Sequence, residues 1–387
     1  MIELNKGFSA LSGGYTFQRI AEKKQGFQDL IDLSIGDTAY PLTPTVLKAY
    51  KKAVDEYGEK ETFKGYAPSD GYPFLKKSII DYYSAYNAKI YDSEIFINDG
   101  SKGEIFKLLN LFSPETTIAI FSPYYPAFYD CAVISNKKIE IIDTERDFFK
   151  PLPKRLSKKS YVIILCSPSN PCGVTLTKND ILEWIDFAVE TNSVVIFDSA
   201  YSSFIRDECP VTPYSVGNGK ISVIEIFSFS KGFSFTGVRC GFVAIPEQIS
   251  VDGVKLRDKY KRMNDAVNNG VNYAVQRAAA AALSVEGLKE NKAIADIYIN
   301  NAKRLCKVLS EKKLVFYGGN NSPYIFLKCP DGFSSDEFSD YFLKELKIVV
   351  TPGNGFGPSG EGYVRISCLK TENEISIAEK RIQNATF

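Results

Sequence analysis

From about residue 95 the chain alternates short, almost wholly apolar runs with amphipathic stretches. "EIFIND" precedes "GSKGEIFKLLNLF", and "TIAIFSP" precedes "YYPAFYDCAVIS". "YVIILCSPSNP" leads into "TKNDILEWIDFAVETN", then "SVVIFDSAYSSF" and "SVIEIFSFSK" follow, and "RCGFVAI" closes the series. Continuous apolar runs of this length read as strands buried on both faces. The fold class is therefore α/β, with a mostly parallel sheet covered by helices. In such sheets ligands bind at the carboxyl ends of the strands. Polar residues collect at those ends: Asp99 to Lys102, Ser167 to Asn170, Asp198 to Tyr201 and Ser228 to Lys231. After about residue 250 the rhythm changes. Long helical stretches ("YAVQRAAAAALSVEGL", "ENKAIADIYINNAKRLCKVLSEK") lead to shorter strands ("YIFLKC", "IVVTP", "GYVRISC"), which predicts a smaller α+β domain joined by the N-terminal residues. The expected division is 42–265 for the large domain, with 1–41 and 266–387 forming the small one. "GNGFGPSG" contains a GxGxxG, but Pro358 and the strand-like "GYVRIS" follow it where a dinucleotide fingerprint needs a helix. It reads as a connection between strands.

Composition narrows the chemistry. The 387 residues are 44% hydrophobic and 24% charged, which suits a large domain plus a smaller one. A net charge of +1 gives no pull toward nucleic acid or an anionic membrane, and no apolar run would span a bilayer. The opening "MIELNKGFSALSGGYTF" lacks the pattern of a signal peptide, and eight scattered cysteines without a CxxC pair suit a reducing, cytoplasmic setting. There is no histidine at all. That excludes Ser-His-Asp and Cys-His mechanisms and His-ligated zinc; the cysteines lack zinc-site spacing, so no metal is expected. Proton transfer near neutral pH must use a perturbed lysine, tyrosine or carboxylate, or a cofactor. Lys231, at the end of a buried strand in "FSFSKGFSFTGVRCGF", directs attention to imine chemistry on a lysine.

Taken singly, each polar signal has a plain structural explanation. Asp198 in "IFDSAY" suits an Asx turn, Asn170 in "SPSNPCG" a turn, and Arg365 in "GYVRIS" an edge-strand arginine. The ordered series is more specific. An SxSNPxG turn, then Asp-x-x-Tyr, then Ser-x-Ser-Lys with an arginine eight residues on, then a late strand arginine, resembles the fold-type I aminotransferases that depend on pyridoxal 5'-phosphate. The resemblance implies that Lys231 forms an imine with the cofactor aldehyde and later carries the proton, and that Asp198 pairs with the pyridinium nitrogen. It implies that Asn170 and Tyr201 bond the phenolate oxygen and that Tyr124 stacks on the ring. Ser101 and Lys102, opening a helix after a strand, would cradle the phosphate with Ser228, Ser230 and Arg239. Arg365 would grip the substrate α-carboxylate at two points, which lysine cannot copy.

Within that family, "GGYTFQRI", "LSIGDTAYPL", "FKGYAPSDGYPFLKKSI", "INDGSKGEIFKLL" and "NNGVNYAVQRAA" are similar to the LL-diaminopimelate aminotransferases, from about Tyr15 to Arg365. These exchange an amino group between LL-diaminopimelate and 2-oxoglutarate on the route to lysine and the cell wall. The resemblance implies substrate contacts from Tyr15, Gly36, Lys102, Tyr124, Asn170 and Arg365. It also implies a homodimer in which Asn269 reaches the partner's substrate and Tyr66 the partner's phosphate. One departure stands out: Ser69 occupies the place where the family carries an acidic residue that reads the distal amine, and Asp70 comes one position later. A relative acting on lysine, ornithine or an aromatic amino acid, or a carbon–sulfur β-lyase, is the alternative. A cofactor-sensing transcription regulator would need a DNA-binding domain, and only about thirty residues precede "LSIGD".

Overall fold

A computed structural model describes residues 2–11, 16–217 and 219–387. Seven strands form the principal sheet. Their order is Ile95–Asn98, Gly241–Ala244, Val223–Ser228, Val194–Asp198, Val162–Cys166, Thr117–Ser122, Lys138–Asp143. Gly241–Ala244 runs antiparallel to both its neighbours and every other pairing is parallel. The continuous apolar runs follow from this arrangement, because both faces are covered. Ile97, Ala119, Ile163, Val195 and Phe227 point into one core, while Phe96, Ile118, Ile164, Ile196 and Ile226 point into the other. Helices Pro73–Ser84 and Lys178–Glu190 fill the first core. Ser101–Leu109, Pro126–Ile134 and Leu256–Val267 fill the second.

The smaller unit is a four-stranded antiparallel sheet, ordered Phe316–Gly318, Tyr324–Lys328, Tyr363–Ser367, Thr351–Pro352. The N-terminal strand Ile31–Asp32 pairs in parallel with Ile348–Val349, and Leu33 is buried in the same core. The 27-residue helix Val285–Glu311, capped by Ser284, joins the two units. Tyr298 and Ile299 pack beside Tyr201 and Tyr324, and Leu305 and Val308 pack into the small core. "GNGFGPSG" forms short 3-10 turns, Gly353–Phe356 and Pro358–Gly360, between two strands.

The division expected at 265/266 does not match the packing. Helix Tyr273–Ala282 lies against helices Pro44–Asp55 and Pro73–Ser84, with Val275, Ala278, Ala279 and Ala282 in the large core. Small side chains let this helix approach its neighbours closely. An alanine-rich face carries no sequence signal of which core it will join.

Candidate active site

The strand ends converge on a cavity of about 340 Å³. Among its lining residues are Gly36, Ser101, Lys102, Asn170, Asp198, Tyr201, Ser228, Ser230, Lys231, Arg239 and Arg365. Phe17, Ile35, Tyr125, Cys166, Ala200 and Tyr324 complete the wall.

Asp198 ends the central strand Val194–Asp198 and is only 3% exposed. Its carboxylate accepts the Ala200 N–H at 3.0 Å, and among the described residues it forms no ion pair. Burial therefore pushes its pKa up to about 7. Such a carboxylate fits a ligand that brings its own positive charge.

Lys231 follows strand Val223–Ser228 and donates to the Gly36 carbonyl. Burial pushes its pKa down to about 8. Asp37 opposes that shift, while Arg365 and Arg239 reinforce it. The amine is thus far closer to neutral at physiological pH than an ordinary lysine.

A helix start opens on the cavity. Helix Lys178–Glu190 is closed by a capping box of Thr177 and Asp180. Helix Ser101–Leu109 instead starts at Gly100, which makes no side-chain cap bond, so its first-turn N–H groups and dipole face the cavity end of the sheet. Gly100 has φ +120°, and a Cβ there would fall 2.5 Å from Arg239 Nη2. Arg239, itself in the left-handed region at φ +68°, donates to Ser230 Oγ at 2.9 Å.

Arg365, 1% exposed, sits on the strand of the small sheet next to Tyr324–Lys328. It donates to Asn170 Oδ1 at 2.8 Å and to the Ser34 carbonyl, and its buried Nε has no partner among the described residues. Its guanidinium lies 4.5, 4.9 and 5.4 Å from the ring centroids of Tyr324, Phe356 and Phe17. A cation stacked among rings and held at one edge keeps N–H capacity for a carboxylate.

Some expected residues lie elsewhere. Tyr124 turns away from the cavity. Its ring stacks on Tyr129 (centroids 6.0 Å apart, planes at 17°) and fills the space that Gly357 leaves by lacking a Cβ. The next residue, Tyr125, at the start of helix Pro126–Ile134, lines the cavity instead. Tyr66 is 89% exposed and Asn269 is exposed; neither lines the cavity of its own chain. Tyr15 lies outside the described residues. Ser69 donates to Asp265 at 2.5 Å, and Asp70 is paired with the buried Lys76 at 2.6 Å. Tyr324 and Phe17 were not expected. Tyr324 is hidden in the apolar run "YIFLKC", whereas Phe17 lies two residues after Tyr15 in "GGYTFQRI", where the resemblance of that segment was the available signal.

A strand-end cavity with a buried carboxylate that forms no ion pair among the described residues, a lysine of lowered pKa and two separated arginines has the groups that imine chemistry on an anionic ligand needs. The model of the family "Aminotransferase class I and II" matches residues 28–382, and the chain belongs to that family. It is 39% identical to the LL-diaminopimelate aminotransferase of Agathobacter rectalis, over 98% of this chain and 99% of that protein. It is 37% identical to that of Methanosphaera stadtmanae over the full length of both. Among solved structures, the L,L-diaminopimelate aminotransferase of Chlamydomonas reinhardtii matches with a TM-score of 0.92 and 31% identity, covering 98% of each chain.

Proposed function

We propose that this protein is an LL-diaminopimelate:2-oxoglutarate aminotransferase that uses pyridoxal 5'-phosphate and works as a cytoplasmic homodimer. The observation that carries the reaction type is the pair formed by Asp198 and Lys231. One cavity holds a carboxyl raised to about 7 and an amine lowered to about 8, with no ion pair between them. The similarity to LL-diaminopimelate aminotransferases over the whole chain supports the substrate.

The residues fit the cofactor. Asp198 would meet the pyridine nitrogen, Asn170 and Tyr201 the phenolate oxygen, and Tyr125 would flank the ring in place of Tyr124. The first turn of Ser101–Leu109, with Ser228, Ser230 and Arg239, would take the phosphate, and Tyr66 of the partner subunit would complete it. Bound there, the cofactor supplies an electron sink for the bond being broken at the substrate α-carbon. Lys231 Nζ, with its lowered proton affinity, is suited to take a proton from that carbon and return it, the role no histidine can fill here. Arg365 fixes the α-carboxylate by a two-point contact, so the carbon is presented in one orientation. Phe17 and Ile35 cover the cavity with apolar surface and limit water. Gly36, Lys102, Tyr15 and the partner's Asn269 would receive the rest of the substrate.

The distal amine is the open side of this site. Asp70 is tied to Lys76, so its carboxylate does not replace the acidic group missing at Ser69. A charged group on such an amine is worth about 1.5–3 kcal/mol, roughly ten- to a hundred-fold in selectivity. The enzyme should therefore use LL-diaminopimelate with 2-oxoglutarate while discriminating only weakly against lysine and ornithine, and Ser69→Glu should sharpen that preference. The measurement is kcat/KM for LL-diaminopimelate, lysine, ornithine and an aromatic amino acid in both forms. Strong activity with one of the others and none with LL-diaminopimelate would overturn the substrate assignment.

A further inference from the structure

Tyr324 lines the cavity and is assigned no part in the reading above. It opens the strand Tyr324–Lys328, whose antiparallel register with Tyr363–Ser367 sets Phe326 opposite Arg365. Tyr324 is therefore the diagonal neighbour of Arg365 on the same face of the small sheet. The Arg365 guanidinium lies 4.5 Å from its ring centroid. At its other end, the hydroxyl is 3.0 Å from the hydroxyl of Tyr201, which comes from the large sheet. The same oxygen occupies the room that a side chain at Gly36 would need, since a Cβ there would lie 2.0 Å from it. Tyr324 is 1% exposed, and among the described residues Tyr201 is the only hydrogen-bond partner of its hydroxyl. Phenylalanine would fill the same space without the cost of desolvating a hydroxyl. The oxygen is thus explained by Tyr201 and the ring by Arg365.

We infer that Tyr324 is a positioning residue that links the substrate-carboxylate arginine of the small unit to the cofactor-facing tyrosine of the large one. The inference rests on the proposed pyridoxal-phosphate reading. When the Tyr324 hydroxyl donates to Tyr201 oxygen, the Tyr201 O–H is left to donate into the cavity. Two hydroxyls in series make the second a stronger donor than it would be alone. A stronger donor at the cofactor's phenolate oxygen withdraws electron density and lowers the basicity of the nitrogen that Lys231 contributes. The ring meanwhile holds the guanidinium plane in place.

The test is a pH titration of the visible absorbance of the holoenzyme, with thermal unfolding as a check on folding. Tyr324→Phe should raise the titration midpoint by about half a unit, a three-fold gain in proton affinity. Tyr201→Phe should raise it further, and the double variant should titrate like Tyr201→Phe alone. KM for glutamate should be nearly unchanged in Tyr324→Phe, which keeps the ring, and should rise at least several-fold in Tyr324→Leu, which loses it. A Tyr324→Phe midpoint equal to wild type, or a double variant in which the shifts add, would overturn the link. If wild-type protein binds pyridoxal phosphate without a titrating chromophore, the cofactor reading itself fails, and the link falls with it.

Discussion

Asp198 and Lys231 are each held where their usual charge is disfavoured, and the protein without cofactor carries the cost. For Asp198 the folded-state pKa of about 7 lies above the ordinary 3.8. The native state then binds the extra proton across that interval, so this residue's contribution to stability falls as pH rises from about 4 to 7 and stays low above it. Lys231 runs the other way. With a folded pKa of about 8 against 10.5, the unfolded chain binds more protons between those values, and stability recovers as pH rises through them. Cofactor-free Asp198→Asn should therefore be more stable than wild type, with a gain that grows from pH 5 to 7 and then levels. At pH 8 the expected rise in Tm is about 1 °C for each kcal/mol gained, because the entropy of unfolding scales with the 387-residue length. With cofactor bound the order should reverse, since a neutral amide offers no charge to the pyridine nitrogen, and turnover should fall steeply. Calorimetry of both forms across pH checks it; a pH-independent difference would mean that Asp198 is not the strained group. At this scale the sequence was legible where a residue's type is unusual for its place, as with Lys231 at the end of a buried strand. It was not legible where two equivalent residues are adjacent. Tyr124 and Tyr125 differ only in which way each ring leaves the backbone before Pro126, and that is settled by Tyr129 on the following helix and by Gly357 far along the chain.

At the scale of elements, the strand–turn–helix from Ile95 to Leu109 carries most of the proposed phosphate site. Gly100 has to be glycine there for two reasons: φ of +120° is open only to a residue without a Cβ, and that Cβ would meet Arg239. Gly100→Ala should cost about 1–3 kcal/mol in backbone strain. It should also displace Arg239 from Ser230, weakening pyridoxal phosphate binding at least ten-fold. The check is the cofactor dissociation constant, by absorbance, beside that of pyridoxal, which lacks the phosphate. An equal loss for both would place the damage in the fold rather than in the cradle. Six of the seven strands of the large sheet were readable because a sheet covered on both faces leaves no polar positions to break the apolar runs; the largely exposed edge strand Lys138–Asp143, where charges alternate with isoleucine, was not. Tyr324 was hidden by that same rule: inside "YIFLKC" a functional tyrosine looks like one more buried aromatic. Helix Tyr273–Ala282 was readable as a helix but not as part of the large unit, because alanines pack wherever two helices already lie close.

At the scale of the molecule, Tyr66 and Asn269 stand outside their own chain's cavity, on exposed backbone where Phe63 and Val267 also present apolar surface. If they complete the site of a second copy, two inactive variants should rescue each other. Mixing Lys231→Ala with Asn269→Ala, unfolded and refolded together, should form mixed dimers in which one site of the two is intact. Activity should return to about a quarter of wild type after random reassociation. Size-exclusion measurement of the same mixtures reports whether dimers form. No recovery despite mixed dimers would mean that each chain builds its site alone.

The pairing of Ile31–Asp32 with Ile348–Val349 has a temporal consequence. The segment that presents Gly36 to Lys231 is made 317 residues before the strand it docks against, counted from Ile31 to Ile348. The large sheet, whose strands lie between residues 95 and 244, has all its sequence before then and can assemble first. Lys231 and Asp198 can thus take their places before Arg365 and the strand that docks the Gly36 segment have been made. Until these two segments pair, the Gly36 carbonyl that the Lys231 amine contacts is not held in place.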